Sequence, residues 1–194
     1  MRVIGITGVA RVGKDTLCAN LIKAYKNEGL VAKRFALADE LKDAMRIFLF
    51  DNFNIDILNC SPEDKELIRP LLVEFGRAKR IQSNGTYWTS LLYEKMLKAQ
   101  QEQPFDIAIV TDIRYAEYDF DEVDWLHSHD GTLIHLSRFL LDGSLLQPPN
   151  QDEEKNDPIL FEKADIVLRL ETDLEKLTNS VKSLTDAIEK LWKS

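Results

Sequence analysis

The segment Gly8-Val9-Ala10-Arg11-Val12-Gly13-Lys14-Asp15-Thr16 completes the spacing G-x-x-x-x-G-K, with a threonine one place beyond the usual Ser/Thr position. No other part of the chain constrains the fold as much, because this spacing works as a turn between a buried strand and a helix. The flanks comply. Arg2-Val3-Ile4-Gly5-Ile6-Thr7 is apolar and β-branched, and Leu17, Cys18, Leu21, Ile22 and Tyr25 recur at helical spacing. Backbone N–H groups in such a turn face an anion, helped by roughly half a positive charge at the helix N-terminus. The segment reads as a phosphate cradle built from Gly8, Arg11, Val12, Gly13, Lys14, Asp15 and Thr16. Lys14 would reach the β- and γ-phosphates, and Thr16 would offer its hydroxyl to Mg²⁺. Asp15 fits two roles, a carboxylate stabilising the first helical turn or a group beside the metal.

Downstream, strand and helix patterns alternate. Strands are expected at 31–37, 106–111, 131–136 and 165–170, which with residues 2–7 makes five. The run Asp106 to Thr111 is continuously apolar in its middle, as in a sheet covered on both faces, and is expected at the sheet centre. Helices are expected after Asp39, placed to cap one, from Ser61-Pro62 towards Arg80, from Thr86 to Gln101, from Glu117 to Ser128, and from Asp173 through Leu174, Leu177, Val181, Leu184, Ile188 and Leu191. This alternation predicts an α/β fold of three layers, a five-stranded parallel sheet with helices on both faces. Leu141 to Pro158 is polar and rich in turn residues, and reads as a mobile lid or a disordered excursion.

With 194 residues and 44% hydrophobic content, the chain is expected to form one domain, residues 1–194. Its net charge of −8 argues against nucleic acid or an anionic membrane as partner. Cys18 and Cys60 lie far apart without metal-ligand spacing, which suits a reducing compartment. His127, His129 and His135 lack zinc-site spacing, and no nucleophile elbow is present.

Ligands of open parallel sheets gather at the carboxyl ends of the strands, so Thr111-Asp112-Ile113-Arg114 falls where chemistry is expected. Asp112 could hold Mg²⁺ directly or through water, and Arg114 could grip a phosphate; a plain surface pair is the alternative. Among Arg77, Lys79 and Arg80, helix C-terminal placement explains one or two cations, leaving Arg80 as the phosphate candidate. Lys42 reads as a solvated lysine or a phosphate ligand, and Arg138 as a surface arginine or one that closes on the transferred group. Tyr87 and Trp88 suit the core or a base-stacking surface.

These residues together resemble the phage-type deoxynucleoside monophosphate kinases, within the P-loop nucleoside monophosphate kinases. The resemblance rests on residues 8–16, on Leu37-Ala38-Asp39-Glu40-Leu41-Lys42, on Phe75-Gly76 through Arg80 to Tyr87-Trp88, on Thr111 to Arg114, and on Ile134 to Arg138. It implies a P-loop NTPase fold and transfer of the ATP γ-phosphoryl group to a deoxynucleoside monophosphate, with Mg²⁺. Lys14, Asp112, Arg114 and Arg138 would be catalytic, Thr16 and Asp112 would serve the metal, and Asp39, Lys42, Arg80, Trp88 and Arg114 would bind the acceptor. It further implies a helical acceptor region at about 39–100, a lid at about 139–160, and a cytoplasmic protein, in the host cytoplasm if phage-encoded. A homodimer is compatible with the sequence. The nearest alternatives are a P-loop kinase for dephospho-CoA or phosphomevalonate, and a non-catalytic ATP-binding switch.

Overall fold

The computed structural model describes residues 1–170 and 174–193, and side chains within the last helix from residue 180 onward. Its elements, in chain order, are β1 (Arg2–Thr7), α1 (Lys14–Asn27), β2 (Ala32–Phe35), α2 (Leu37–Phe53), α3 (Pro62–Gln82) and α4 (Thr86–Glu102), then β3 (Ile107–Val110), α5 (Glu122–Ser128), β4 (Thr132–Arg138), α6 (Gln151–Lys163), β5 (Ile166–Leu170) and α7 (Leu174–Lys193). Asp173 and the side chains of Leu174 and Leu177, expected in the last helix, lie outside the described residues.

Five strands form one sheet in the order β2-β3-β1-β4-β5, every pair parallel. The expected α/β architecture with helices on both faces is the observed one. Strand side chains alternate between the faces. Ile4, Ile6, Ile107, Ile109, Ile134 and Leu136 meet α1 and α7, while Val3, Ala108, Val110 and Leu133 meet α4 and α5. β3 is buried along its whole length, as its apolar run requires, but it lies between β2 and β1, and β1 takes the middle. A third cluster, Met45, Leu49, Ile55, Ile57 and Ile68, ties α2 to α3. Ser61 caps α3 by accepting from the Asp64 amide at 3.0 Å, with Pro62 in the first turn.

Three expectations are corrected. α2 starts at Leu37, so Asp39 lies inside its first turn and cannot be its cap. The acidic stretch from Glu117 becomes helical only at Glu122, because Asp121 accepts from the Glu122 amide and begins the helix there. The segment from Leu141 to Pro158 is irregular only in its first half. Asn150 accepts from the Glu153 amide at 2.9 Å and opens α6, which carries Pro158 inside it and buries Asn156 and Leu160.

Candidate phosphoryl-transfer site

β1 delivers the chain into the loop at Gly8, whose φ is 124° and where a Cβ would meet the Leu136 carbonyl oxygen at 2.3 Å, so no side chain fits. Gly13, at φ 113°, occupies the N-cap of α1, and no side chain caps that helix. The first-turn amides are therefore left as donors for an anion. Val12 is buried beneath the loop, whereas Arg11, Asp15 and Thr16 are exposed. Lys14 folds back on the loop, its Nζ donating to the Gly8 and Val9 carbonyls at 2.6 and 2.9 Å. Burial and the neighbouring Arg114 guanidinium lower the Lys14 pKa, against the opposing pull of Glu153, Asp112 and Asp15.

A small hollow opens at the carboxyl edge of the sheet. Thr7, Gly8, Val9 and Lys14 line it from the loop side, and Ile113 and Arg114 from the end of β3. Asp152, Glu153, Asn156 and Asp157 of α6 close it from above. Arg114 is exposed, and its guanidinium has no side-chain partner among the described residues; only its backbone is fixed, by donation of its N–H to buried Glu122. Glu122 accepts from the Tyr115 amide as well, and burial pushes its carboxyl up to about 8.

Other expected site residues are placed differently. Asp112 is buried, and its Oδ1 and Oδ2 accept from the Leu37 and Ala38 amides at 2.8 Å each. It caps α2 from across the sheet edge, the duty assigned to Asp39 on sequence grounds. Burial raises its pKa against the pull of those two amides. A carboxylate so engaged does not fit direct ligation of Mg²⁺.

Asp39 instead accepts from Arg34 Nη1 at 2.8 Å and from Lys42 Nζ at 3.3 Å. Burial alone would raise Asp39, but the two cations outweigh it and hold its pKa below the usual value. Arg34 also lies 3.7 Å from Asp15, so Lys42 belongs to a partly exposed charge cluster beside the loop rather than to the hollow.

Arg80 is a clear correction. Its Nη1 donates to Asp121 at 2.8 Å and its Nη2 to Glu117 at 2.5 Å, while Tyr115 lies against the guanidinium face at 3.7 Å. A buried guanidinium satisfied in this way is unavailable to a phosphate. Trp88 is buried, packs edge-on to Phe75 and Tyr87, and donates its indole N–H to the Gly76 carbonyl at 3.0 Å, so it is a core residue. Arg138 ends β4, half-buried and outside the residues that line the hollow.

Among the described residues, no group of three or more His, Cys, Asp or Glu is arranged to hold a metal. The exposed Thr16 hydroxyl fits as a protein ligand of Mg²⁺. Sequence reasoning missed Glu117, Asp121, Glu122, Arg34 and the acidic face of α6. Only the Asn150-x-x-Glu153 spacing, a helix-start signal, could have revealed α6.

The fold has a counterpart among solved structures. A dephospho-CoA kinase from Campylobacter jejuni superposes with a TM-score of 0.52 at 12% identity, over 97% of each chain. The chain therefore shares the fold of that kinase. An inferred kinase from Chloroflexus aurantiacus gives a TM-score of 0.44 at 14% identity, over 96% of this chain and 97% of that one, too distant to add to the comparison. No protein-family model and no curated protein sequence matches the chain. No helix among the described residues is long and apolar enough to cross a membrane.

Proposed function

We propose that the protein is an ATP-dependent phosphotransferase acting on a small phosphorylated acceptor, a deoxynucleoside monophosphate. One observation carries this reading: Lys14 from the phosphate loop and an unpaired Arg114 from the end of β3 line one hollow at the carboxyl edge of a parallel sheet. Two cations from different elements suit two anionic groups brought together. Catalysis then consists of aligning them and neutralising their charge. An acceptor phosphate oxygen is already anionic and needs no base, which agrees with the commitment of Asp112 to the α2 amides.

In this reading the ATP phosphates lie on the loop amides, and Lys14 exchanges its carbonyl partners for phosphate oxygens. Thr16 would hold Mg²⁺, which would supply charge neutralisation between the substrates. Arg114 grips the acceptor phosphate. Its backbone is preset by Glu122, so little ordering is left to binding. Asp39 and Lys42 border the acceptor side, residues 39–100 form the acceptor region, residues 139–160 form the lid, and Arg138 approaches when that lid re-closes over bound substrates. The setting is the cytoplasm, of a host cell if the chain is phage-encoded.

The likeness to a dephospho-CoA kinase favours a second reading, an acceptor of that type. Incubation with ATP, Mg²⁺ and a panel of deoxynucleoside and ribonucleoside monophosphates and dephospho-CoA, with ADP formation measured, separates the two. Diphosphate from a deoxynucleotide supports the proposal, and turnover with dephospho-CoA alone replaces it. ATP binding without acceptor-stimulated turnover leaves only a nucleotide-dependent switch.

A further inference from the structure

Beneath α6 the hollow leaves about 20 Å³ free, room for about one water. What fills it is acidic. Glu153, in the first turn of α6, places Oε2 at 2.6 Å from the Ala10 amide, inside the loop where phosphate oxygens would seek donors. The same carboxylate acts electrostatically on Lys14, whose ammonium is turned onto the Gly8 and Val9 carbonyls.

Three further contacts fasten α6 in place: Tyr115 donates its hydroxyl to Asp152 at 2.8 Å, Lys155 pairs with Glu117, and His135 meets Asp157 at 3.0 Å. The closure is imperfect. Thr7 Oγ1 and Asn156 Oδ1 are buried in residues lining the hollow and have no hydrogen-bond partner. Orphaned polar atoms weaken the closed arrangement relative to one that lets water or substrate reach them.

We propose that Glu153 is a built-in occupant of the phosphate loop, a carboxylate that stands in for phosphate and holds α6 shut until a polyphosphate displaces it. This rests on the reading of residues 8–16 as a phosphate loop. Because the carboxylate and the polyphosphate compete for the same donors, the apparent affinity for the polyphosphate is reduced by the fraction of molecules that are closed.

Calorimetric binding of ATP and of inorganic tripolyphosphate, without acceptor, tests this on the 194-residue chain. The proteins compared are the wild type, Glu153→Gln, Glu153→Ala and Glu154→Gln; the last removes the same charge from an exposed neighbour in the same helical turn. Both Glu153 variants are expected to bind about tenfold more tightly than the wild type, and more tightly than Glu154→Gln. Without ligand, the Ala10 amide is expected to exchange its hydrogen faster in the Glu153 variants alone. Glu153→Gln removes the charge while keeping the side chain's length, which weakens the hold on the Ala10 amide, and carries the test if the alanine variant fails to fold. Equal affinities of Glu153→Gln and Glu154→Gln, or unchanged Ala10 exchange, overturn the proposal while leaving the phosphate loop intact. No binding of either probe by any of the four proteins overturns the loop reading itself, and the proposal with it.

Discussion

Replacing Asp112 by alanine separates a helix-capping carboxylate from a metal ligand. In the structure its two oxygens each accept from an α2 amide at 2.8 Å, joining the end of β3 to the start of α2. Alanine removes both bonds and leaves the Leu37 and Ala38 amides without acceptors. Loss of a helix cap costs about 1 kcal/mol, and a buried donor left unsatisfied about 1–3 kcal/mol. Against this, removing the carboxylate relieves the desolvation that raises its pKa. The net loss is therefore set at about 2–3 kcal/mol. At roughly 2–4 °C per kcal/mol for a domain of this size, Tm falls by about 4–12 °C. Urea unfolding of the ligand-free protein, with EDTA present, measures the loss directly. Asn in place of Asp should recover only part of it, because one oxygen is replaced by a second donor facing an amide. A stability within about 0.5 kcal/mol of wild type, the range of ordinary surface substitutions, together with a large loss of Mg²⁺-dependent activity, would refute the capping assignment and restore Asp112 to the metal.

Arg114→Ala is expected to leave Tm nearly unchanged while lowering kcat/KM for the acceptor about 100-fold, the scale of losing an electrostatic contact in a transition state; steady-state kinetics at saturating ATP checks this. Arg80→Ala should do the reverse, because it leaves Asp121 buried and unpaired: a loss of about 3–5 kcal/mol by denaturant unfolding, with the acceptor KM unchanged in the molecules that remain folded. Glu122→Gln is expected to become progressively more stable than wild type as pH rises from about 4.5 to about 8. The folded protein holds the Glu122 proton more tightly than the unfolded chain does, so wild-type stability drains away across that window, whereas glutamine does not ionise. Parallel melting curves at pH 5 and pH 8 test it, and an equal Tm difference at both would count against the buried, proton-retaining state.

Much of the fold was legible because its determinants are local. The glycine spacing of residues 8–13, the β-branched flank before it, the continuous apolar run of β3 and the Ser61-Pro62 helix start each lie within a few residues of the structure they specify. Lys14 and Arg114 could be placed at one edge because a parallel sheet gathers the carboxyl ends of its strands. The failures share another property. Arg80 looked like a free cation because Glu117 and Asp121, which neutralise it, stand 37 and 41 residues away. Trp88 offers the same ring to a base or to a core, and only the surrounding Phe75 and the Gly76 carbonyl decide between them.

By itself, then, the sequence determined the layers, the loop and the sheet edge to which Lys14 and Arg114 are brought, since periodicity and turn chemistry act over short stretches of backbone. Tertiary structure alone decided which charges remain free. Asp112 became a cap through amides 74 and 75 residues distant, and Glu153 reached the loop across 143 residues. A charged side chain's chemistry depends on what neutralises it, and that partner is chosen by folding in space, with no trace in the local pattern.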